Sequence, residues 1–141
     1  MYSIAITVSD ADIERCFPVM AELRPHVKPP EFVEQIRRQE QSGFRLAYLE
    51  IDGQIKAVAG YRILENLAWG KFLYVDDLVT KGIDAGRGYG SAMFDWLIRQ
   101  AKAQGCGQFH LDSGVQRYEA HRFYLHKFMA ITSHHFALKL K

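Results

Sequence analysis

The run Gly86-Arg87-Gly88-Tyr89-Gly90-Ser91 lies between an apolar, strand-like stretch from Phe72 to Val79 and a helical stretch from Ala92 to Ala103. Three glycines at alternate positions leave the backbone unshielded. Successive N–H groups can then turn toward one anion at a helix start, where the dipole also favours negative charge. The pattern reads as a pyrophosphate cradle. It is not the dinucleotide fingerprint, which needs Gly or Ala at the sixth place of G-x-G-x-x-G: counting from Gly86 puts Ser91 there, and counting from Gly88 puts Met93 there. No Gly-Lys-Ser/Thr follows, so the phosphate loop of nucleotide hydrolases is absent too. A different phosphate ligand is needed.

A chain of 141 residues fits one domain, residues 1–141, with no linker required. Its 18 Lys+Arg against 16 Asp+Glu leave a formal charge of +2, and no basic run exceeds two residues, which gives nucleic-acid binding no support. Cys16 and Cys106 lie far apart without a C-x-x-C pattern, so neither a disulfide framework nor a zinc site is expected. The histidines do not gather into a metal site: His121 and His126 are five apart on a predicted helix, and His134 and His135 are adjacent on a predicted strand and point oppositely. No leader pattern opens the sequence, and no apolar run approaches the ~20 residues that span a bilayer, so a cytoplasmic protein without membrane contact is the expectation.

Period-2 and period-3.6 patterns alternate along the chain. Ile4, Ile6 and Val8 share one face of a short strand, and Ser9 or Asp10 can cap a helix carrying Ile13, Phe17, Met20 and Leu23. Pro25, Pro29 and Pro30 interrupt regular helix before it resumes over Glu31 to Gln41. Phe44 to Ile51 and Gln54 to Leu64 read as a hairpin about Asp52-Gly53, and Lys71 to Val79 follows as a third strand. A helix from Gly88 to Gln104 stops at Gly105. A strand over Phe109 to Leu111, a helix from Tyr118 to about Lys127 and a closing strand ending at His135 to Leu138 complete an α/β order β-α-α-β-β-β-α-β-α-β.

Two segments carry a family resemblance that covers nearly the whole chain. The stretch from Asp77-Leu78-Val79-Thr80 to Gly86-Arg87-Gly88-Tyr89-Gly90-Ser91 resembles the Arg/Gln-x-x-Gly-x-Gly/Ala turn of the GCN5-related N-acetyltransferases (GNAT), and Ala120-His121-Arg122-Phe123-Tyr124 resembles their later Ala-x-x-Phe/Leu-Tyr helix. Ala85 stands where the family usually has Arg or Gln, which removes a side chain that commonly braces the turn. Phe128-Met129 replaces a Gly-Phe pair where the final strand starts. The resemblance implies the GNAT fold, a mixed central sheet with helices on both faces, and acetyl-CoA as cosubstrate without a metal. Residues Gly86, Arg87, Gly88, Tyr89, Gly90 and Ser91 would hold the pyrophosphate. Leu78, Val79 and Thr80 would form an open strand edge that pairs with the peptide-like pantetheine arm. In family members a bulge splays this strand from the next, and a backbone N–H polarises the thioester carbonyl.

Acetyl transfer to an amine needs a neutral nucleophile and a protonated sulfur leaving group, hence one base and one acid. Tyr124, whose phenol has an ordinary pKa near ~10, is the acid candidate, with Tyr118 and Tyr89 as alternatives. Asp76 and Asp77 end an otherwise apolar strand, one per face by simple alternation. Their spacing to the glycine turn resembles that of polyamine acetyltransferases, which implies Asp76 as a base working through water and Asp77 as an acceptor contact or structural cap. Glu50 and Glu65 are further candidates, and Trp69 is a candidate wall of the acceptor pocket. A small-molecule amine is the expected acceptor. A non-catalytic acyl-CoA sensor and a protein-modifying acetyltransferase are the competing readings, and a homodimer through the sheet edge or last strands is expected because relatives pair there.

Overall fold

A computed structural model describes residues 1–141. In chain order the elements are β1 (Ser3–Ile6), α1 (Asp10–Leu23), α2 (Pro29–Glu40), β2 (Phe44–Ile51), β3 (Gln54–Asn66), β4 (Gly70–Thr80), a 3-10 turn (Gly82–Asp84), α3 (Tyr89–Ala103), β5 (Gln108–Leu111) and α4 (Tyr118–His126). The five strands form one sheet in sequential order, antiparallel from β1 to β4. Residues Met1–His110 and Leu111–Lys141 form two compact units.

Local chemistry accounts for most boundaries. Ser9 is the cap of α1: its Oγ accepts from the Asp12 N–H at 3.1 Å, while Asp12 Oδ2 accepts from the Ser9 and Val8 N–H groups. Those backbone donors hold the Asp12 carboxyl below the usual carboxylate range. Pro29 and Pro30 do not delay the second helix; they open it. At the first two helical positions a missing N–H costs nothing, and the fixed proline φ suits the turn, so α2 begins two residues before Glu31. Asp52 and Gly53 take positive φ values of 50° and 78°, as a two-residue hairpin turn requires. Beyond α3, Gly105 adopts φ 74°, and the Cys106 N–H reaches back to the Ala101 carbonyl at 2.9 Å.

The tenth expected element is not formed. Residues 128–141 carry no strand, although Phe136, Leu138 and Leu140 alternate with polar neighbours as a half-buried strand would. A strand needs a ladder partner as well as a pattern. Here the apolar side chains stay open, with Phe136 91% and Leu140 88% exposed. The end of α4 closes like that of α3, with the Met129 N–H on the Tyr124 carbonyl at 3.1 Å. Phe128 occupies the left-handed position of that closure at φ 67°, where glycine is the unstrained residue; a side chain there costs about 1–2 kcal/mol.

The sheet of the N-terminal unit is covered on both faces. Phe44, Leu46 and Val58 meet Ile13, Cys16, Met20, Phe32 and Ile36 of α1 and α2 in one buried cluster. Ala47, Leu49, Ala57 and Ala59 point the other way, toward the α3 side where Met93, Phe94 and Leu97 are buried, and Tyr61 sets its ring edge-on to Trp96 at 6.0 Å. Between the faces lies one irregularity of consequence: Gly60 pairs with Asp77 and Tyr61 with Val75, so Asp76 is an extra residue in β4. Opposite the bulge, Gly60 has no room for a side chain. A Cβ there would lie 2.4 Å from Phe44 Cζ and 2.6 Å from Asp77 Oδ2. Gly60→Ala is expected to destabilise the fold by about 1–3 kcal/mol through overpacking, read as a lower urea midpoint at unchanged m-value.

Candidate active site

The bulge decides where the acidic pair points. Simple alternation would send Asp76 and Asp77 to opposite faces, but the extra residue resets the period, and both line one cleft on the α1–α2 side of the sheet. The cleft has a volume of about 680 Å³. Its apolar walls include Phe32, Ile36, Phe44 and Phe72, and Arg24, His26 and Val27 of the α1–α2 connection border it. Trp69 also lines it, stacked on His110 at 3.6 Å and edge-on to Phe72 at 5.0 Å. Glu50 is instead paired with Arg15 at 2.7 Å, and Glu65 is exposed; neither lines the cleft.

Each carboxylate is held by an arginine. Arg24 donates from Nε to Asp77 Oδ1 at 2.8 Å and from Nη2 to the Asp76 carbonyl at 2.9 Å, while Arg62 donates from Nε to Asp76 Oδ2 at 2.9 Å. Burial pushes the Asp77 carboxyl above its usual range, and it outweighs the opposing pull of Arg24. Neither arginine is marked by any local motif. What joins Arg24 to Asp77, 53 residues later, is the packing of α1 against β4.

Beyond the carboxylates β4 continues through Leu78, Val79 and Thr80, all half-buried. On the β3 side these three pair with Ala59, Val58 and Ala57. On the other side β5 has only four residues, and the Gly107 N–H that leads into it bonds the Lys71 carbonyl at 2.9 Å, near the start of β4. The far end of β4 therefore lies beyond the reach of β5. An extended, amide-containing ligand fits such an edge.

The glycine run follows directly. Gly86 and Gly88 both take positive φ, 83° and 85°, and a Cβ at either would meet open space, so the loop presents bare backbone outward. Gly88 caps α3 without a side-chain hydrogen bond, and no acidic residue occupies the first turn. The N–H groups of Tyr89 and Gly90 belong to that first turn and have no intrahelical carbonyl to bond. The donor set suits a pyrophosphate. Arg87 contributes differently, because its N–H is taken by the Asp84 carbonyl at 3.3 Å. Gly90 packs on Thr80, whose Oγ1 would lie 3.0 Å from a Cβ, so the helix start sits against the end of β4.

Ala85 offers no brace, but the preceding turn is tied down elsewhere. The Gly82 N–H donates to Glu22 Oε1 at 2.8 Å, and the Lys81 N–H to the Lys56 carbonyl at 2.8 Å. Asp84 is buried, and its Oδ2 lies 3.3 Å from Lys56 Nζ as an ion pair without hydrogen-bond geometry.

Within the C-terminal unit Tyr124 lies on α4, half-buried, with its ring edge-on to Phe123 at 5.6 Å. Burial raises its phenol above the ordinary value, opposed weakly by Arg117, so the group stays protonated at neutral pH. Tyr118 is 71% exposed. His121 bonds the Gly114 carbonyl through Nε2 at 2.8 Å, and His135 pairs with Asp112 at 3.4 Å.

The cleft is thus followed along the chain by a bulged strand end, an open edge after it and a glycine turn that opens a helix without a side-chain cap. The profile of the acetyltransferase (GNAT) family matches residues 11–129. An uncharacterized N-acetyltransferase of Bacillus subtilis (strain 168), YhdJ, is 30% identical over 112 residues, which is 79% of each chain. Among solved structures, the ribosomal-protein-alanine N-acetyltransferase of Brucella melitensis biovar Abortus 2308 superposes with a TM-score of 0.85 at 14% identity over 100% of each chain. AAC(6')-Iy, in complex with the bisubstrate analog CoA-S-monomethyl-acetylneamine, does so with a TM-score of 0.82 at 11% identity over 100% of this chain and 99% of that one. This chain belongs to the GNAT family and is an acetyl-CoA-dependent N-acetyltransferase. No helix is long and apolar enough to cross a membrane.

Gly88→Val tests the cradle. The substitution forces a β-branched residue to a left-handed φ and covers the adjacent N–H groups, so CoA affinity measured by calorimetry should fall at least about tenfold. Equal affinity in the two proteins would remove the glycine turn from the binding site.

Proposed function

We propose that this enzyme acetylates the primary amine of a small molecule by direct transfer, with the cleft that holds Asp76 and Asp77 as its acceptor site. The observation that carries this reading is the bulge, which brings both carboxylates into a walled cleft immediately before the open end of β4. A cleft of about 680 Å³ lies in the range that encloses small ligands. Neither cysteine lines the cleft, and Cys16 is fully buried, with its thiol pushed up to about 12 by burial, so a covalent thiol route draws no support from this site.

Acetyl-CoA supplies an activated thioester carbonyl, and Leu78, Val79 and Thr80 would align its pantetheine arm while Gly86 to Ser91 hold its pyrophosphate. The incoming amine must lose a proton and the departing sulfur must gain one. The family resemblance implies Asp76 as the base, acting through water with Asp77 contacting the acceptor. The raised carboxyl of Asp77 supports the reverse assignment, because a carboxylate with higher proton affinity is the better acceptor and its Oδ2 makes no hydrogen bond to Arg24. Tyr124 then delivers its phenolic proton to the sulfur as the acetyl C–N bond forms and the C–S bond breaks.

Single-turnover rates discriminate this mechanism from a sensor. Tyr124→Phe keeps the ring and removes the proton, so the rate should fall by ~10²-fold or more with CoA affinity unchanged. Asp77→Asn should fall comparably and lose the acid limb of the pH profile, in which the wild-type rate rises with pH as the carboxylate ionises above its ordinary range. Unchanged rates in both variants, or no acetylated product with any amine, would support a non-catalytic acyl-CoA-binding domain.

A homodimer belongs to the same reading. Phe128 is 97% exposed in a strained backbone conformation, and Ile131, Phe136, Leu138 and Leu140 are each at least 79% exposed, a surface that a second copy of the chain would cover. Light scattering should give twice the single-chain mass at micromolar concentration, and replacing Phe136 and Leu138 by Asp should return it to the single-chain value.

A further inference from the structure

Within the acceptor cleft four charged side chains cancel. Arg24 holds Asp77 Oδ1 and Arg62 holds Asp76 Oδ2, at 2.8 and 2.9 Å, so the charge of each carboxylate is already balanced while its second oxygen stays unbonded to the arginine and can accept from a single amine. A polyamine entering here would meet no net negative field, and its second and later ammonium groups would find no uncompensated anion in the cleft unless they displaced a guanidinium from its half-buried contact. Anions are better served. Arg62 spends only its Nε on Asp76; its two terminal nitrogens make no hydrogen bond, and the guanidinium is set in place over the Phe44 ring at 5.5 Å. A guanidinium oriented in this way, with spare donors at the edge of an apolar cleft, is suited to a carboxylate.

Another part of the cleft lining is flat and aromatic. Trp69 stacks on His110 and abuts Phe72, so its indole is held on two sides while remaining 36% exposed. A fixed indole offers face contact to a ring at little cost in side-chain freedom.

Resting on the reading of this cleft as the acceptor site, we infer that the preferred acceptor is a monoamine with an apolar, aromatic body and one carboxylate, the carboxylate on the terminal nitrogens of Arg62 and the body against Trp69. Polyamines are disfavoured. The acceptor's amine is left to the two aspartates, and its anion is kept apart from them by the guanidinium that already joins Arg62 to Asp76.

Calorimetry with L-phenylalanine, phenethylamine, putrescine and spermidine, each titrated with and without saturating CoA, tests this. L-Phenylalanine should bind about tenfold or more tightly than phenethylamine, which lacks only the carboxylate, and both should bind more tightly than either polyamine. Arg62→Gln should bring L-phenylalanine to within about threefold of phenethylamine, Arg62→Lys should keep part of the gap, and Trp69→Ala should weaken both aromatic ligands alike. Tighter binding of spermidine, equal losses for both aromatic ligands in Arg62→Gln, or no binding of any of the four at millimolar concentration would overturn the inference. CoA binding that persists in those cases leaves the acetyltransferase reading standing, whereas loss of CoA binding itself strikes that reading.

Discussion

One extra residue in β4 is the constraint on which the site depends. The ladder between β3 and β4 keeps register from Asn66–Gly70 to Tyr61–Val75 and again from Gly60–Asp77 onward, and Asp76 fits neither run. Without the bulge, Asp77 would turn toward α3 and Leu78 into the cleft. With it, the carboxylate pair faces α1 and α2, and the apolar alternation of Leu78, Val79 and Thr80 restarts in the opposite phase. Gly60 makes the arrangement possible, since any side chain there would collide with Phe44 and Asp77. A backbone irregularity thus sets both the direction of the acidic pair and the face that the end of β4 offers.

Around that bulge the fold solves a problem of buried charge. Asp77 has lost most of its water, and a carboxylate in that position must be paired or protonated. Arg24 comes from the end of α1, so its pair with Asp77 also ties the start of the α1–α2 connection to β4, while Arg62 pairs β3 with β4 at the bulge. Because Asp77 remains raised despite Arg24, the pairing does not fully offset its burial. That balance leaves a carboxylate with more proton affinity than an exposed one.

The donor side is built with different means. No side chain braces the glycine turn at Ala85, and the loop is instead moored from below: Glu22 of α1 holds Gly82, and Lys56 of β3 meets both Lys81 and Asp84. Mooring the 3-10 turn leaves the following glycines free to take left-handed conformations with their N–H groups outward. Support below and bare backbone above leave N–H donors in place for an anion before it arrives, with Arg87 as the one cationic side chain in the turn.

Local sequence determined a good deal of this. The strand and helix periods place nine of the ten expected elements, because each repeats over enough residues to outweigh its neighbours, and the glycine turn marks the helix start since only glycine tolerates φ near 85° twice in three residues. Asp76 and Asp77 could be singled out as polar groups ending an apolar run, and Trp69 as a bulky group next to a turn. Tertiary structure decided the rest. Whether the two aspartates share a face depends on a register shift that no period in β4 announces, and their arginine partners lie 14 and 53 residues away in sequence. The prolines before Glu31 start a helix rather than bar one, because proline is compatible with a first turn and only helix nucleation by the following residues chooses between the two. The closing segment shows the opposite limit: Phe136, Leu138 and Leu140 carry a strand pattern, yet a strand is a property of a pair, and period-2 alternation says which face would be buried without supplying the neighbour that buries it.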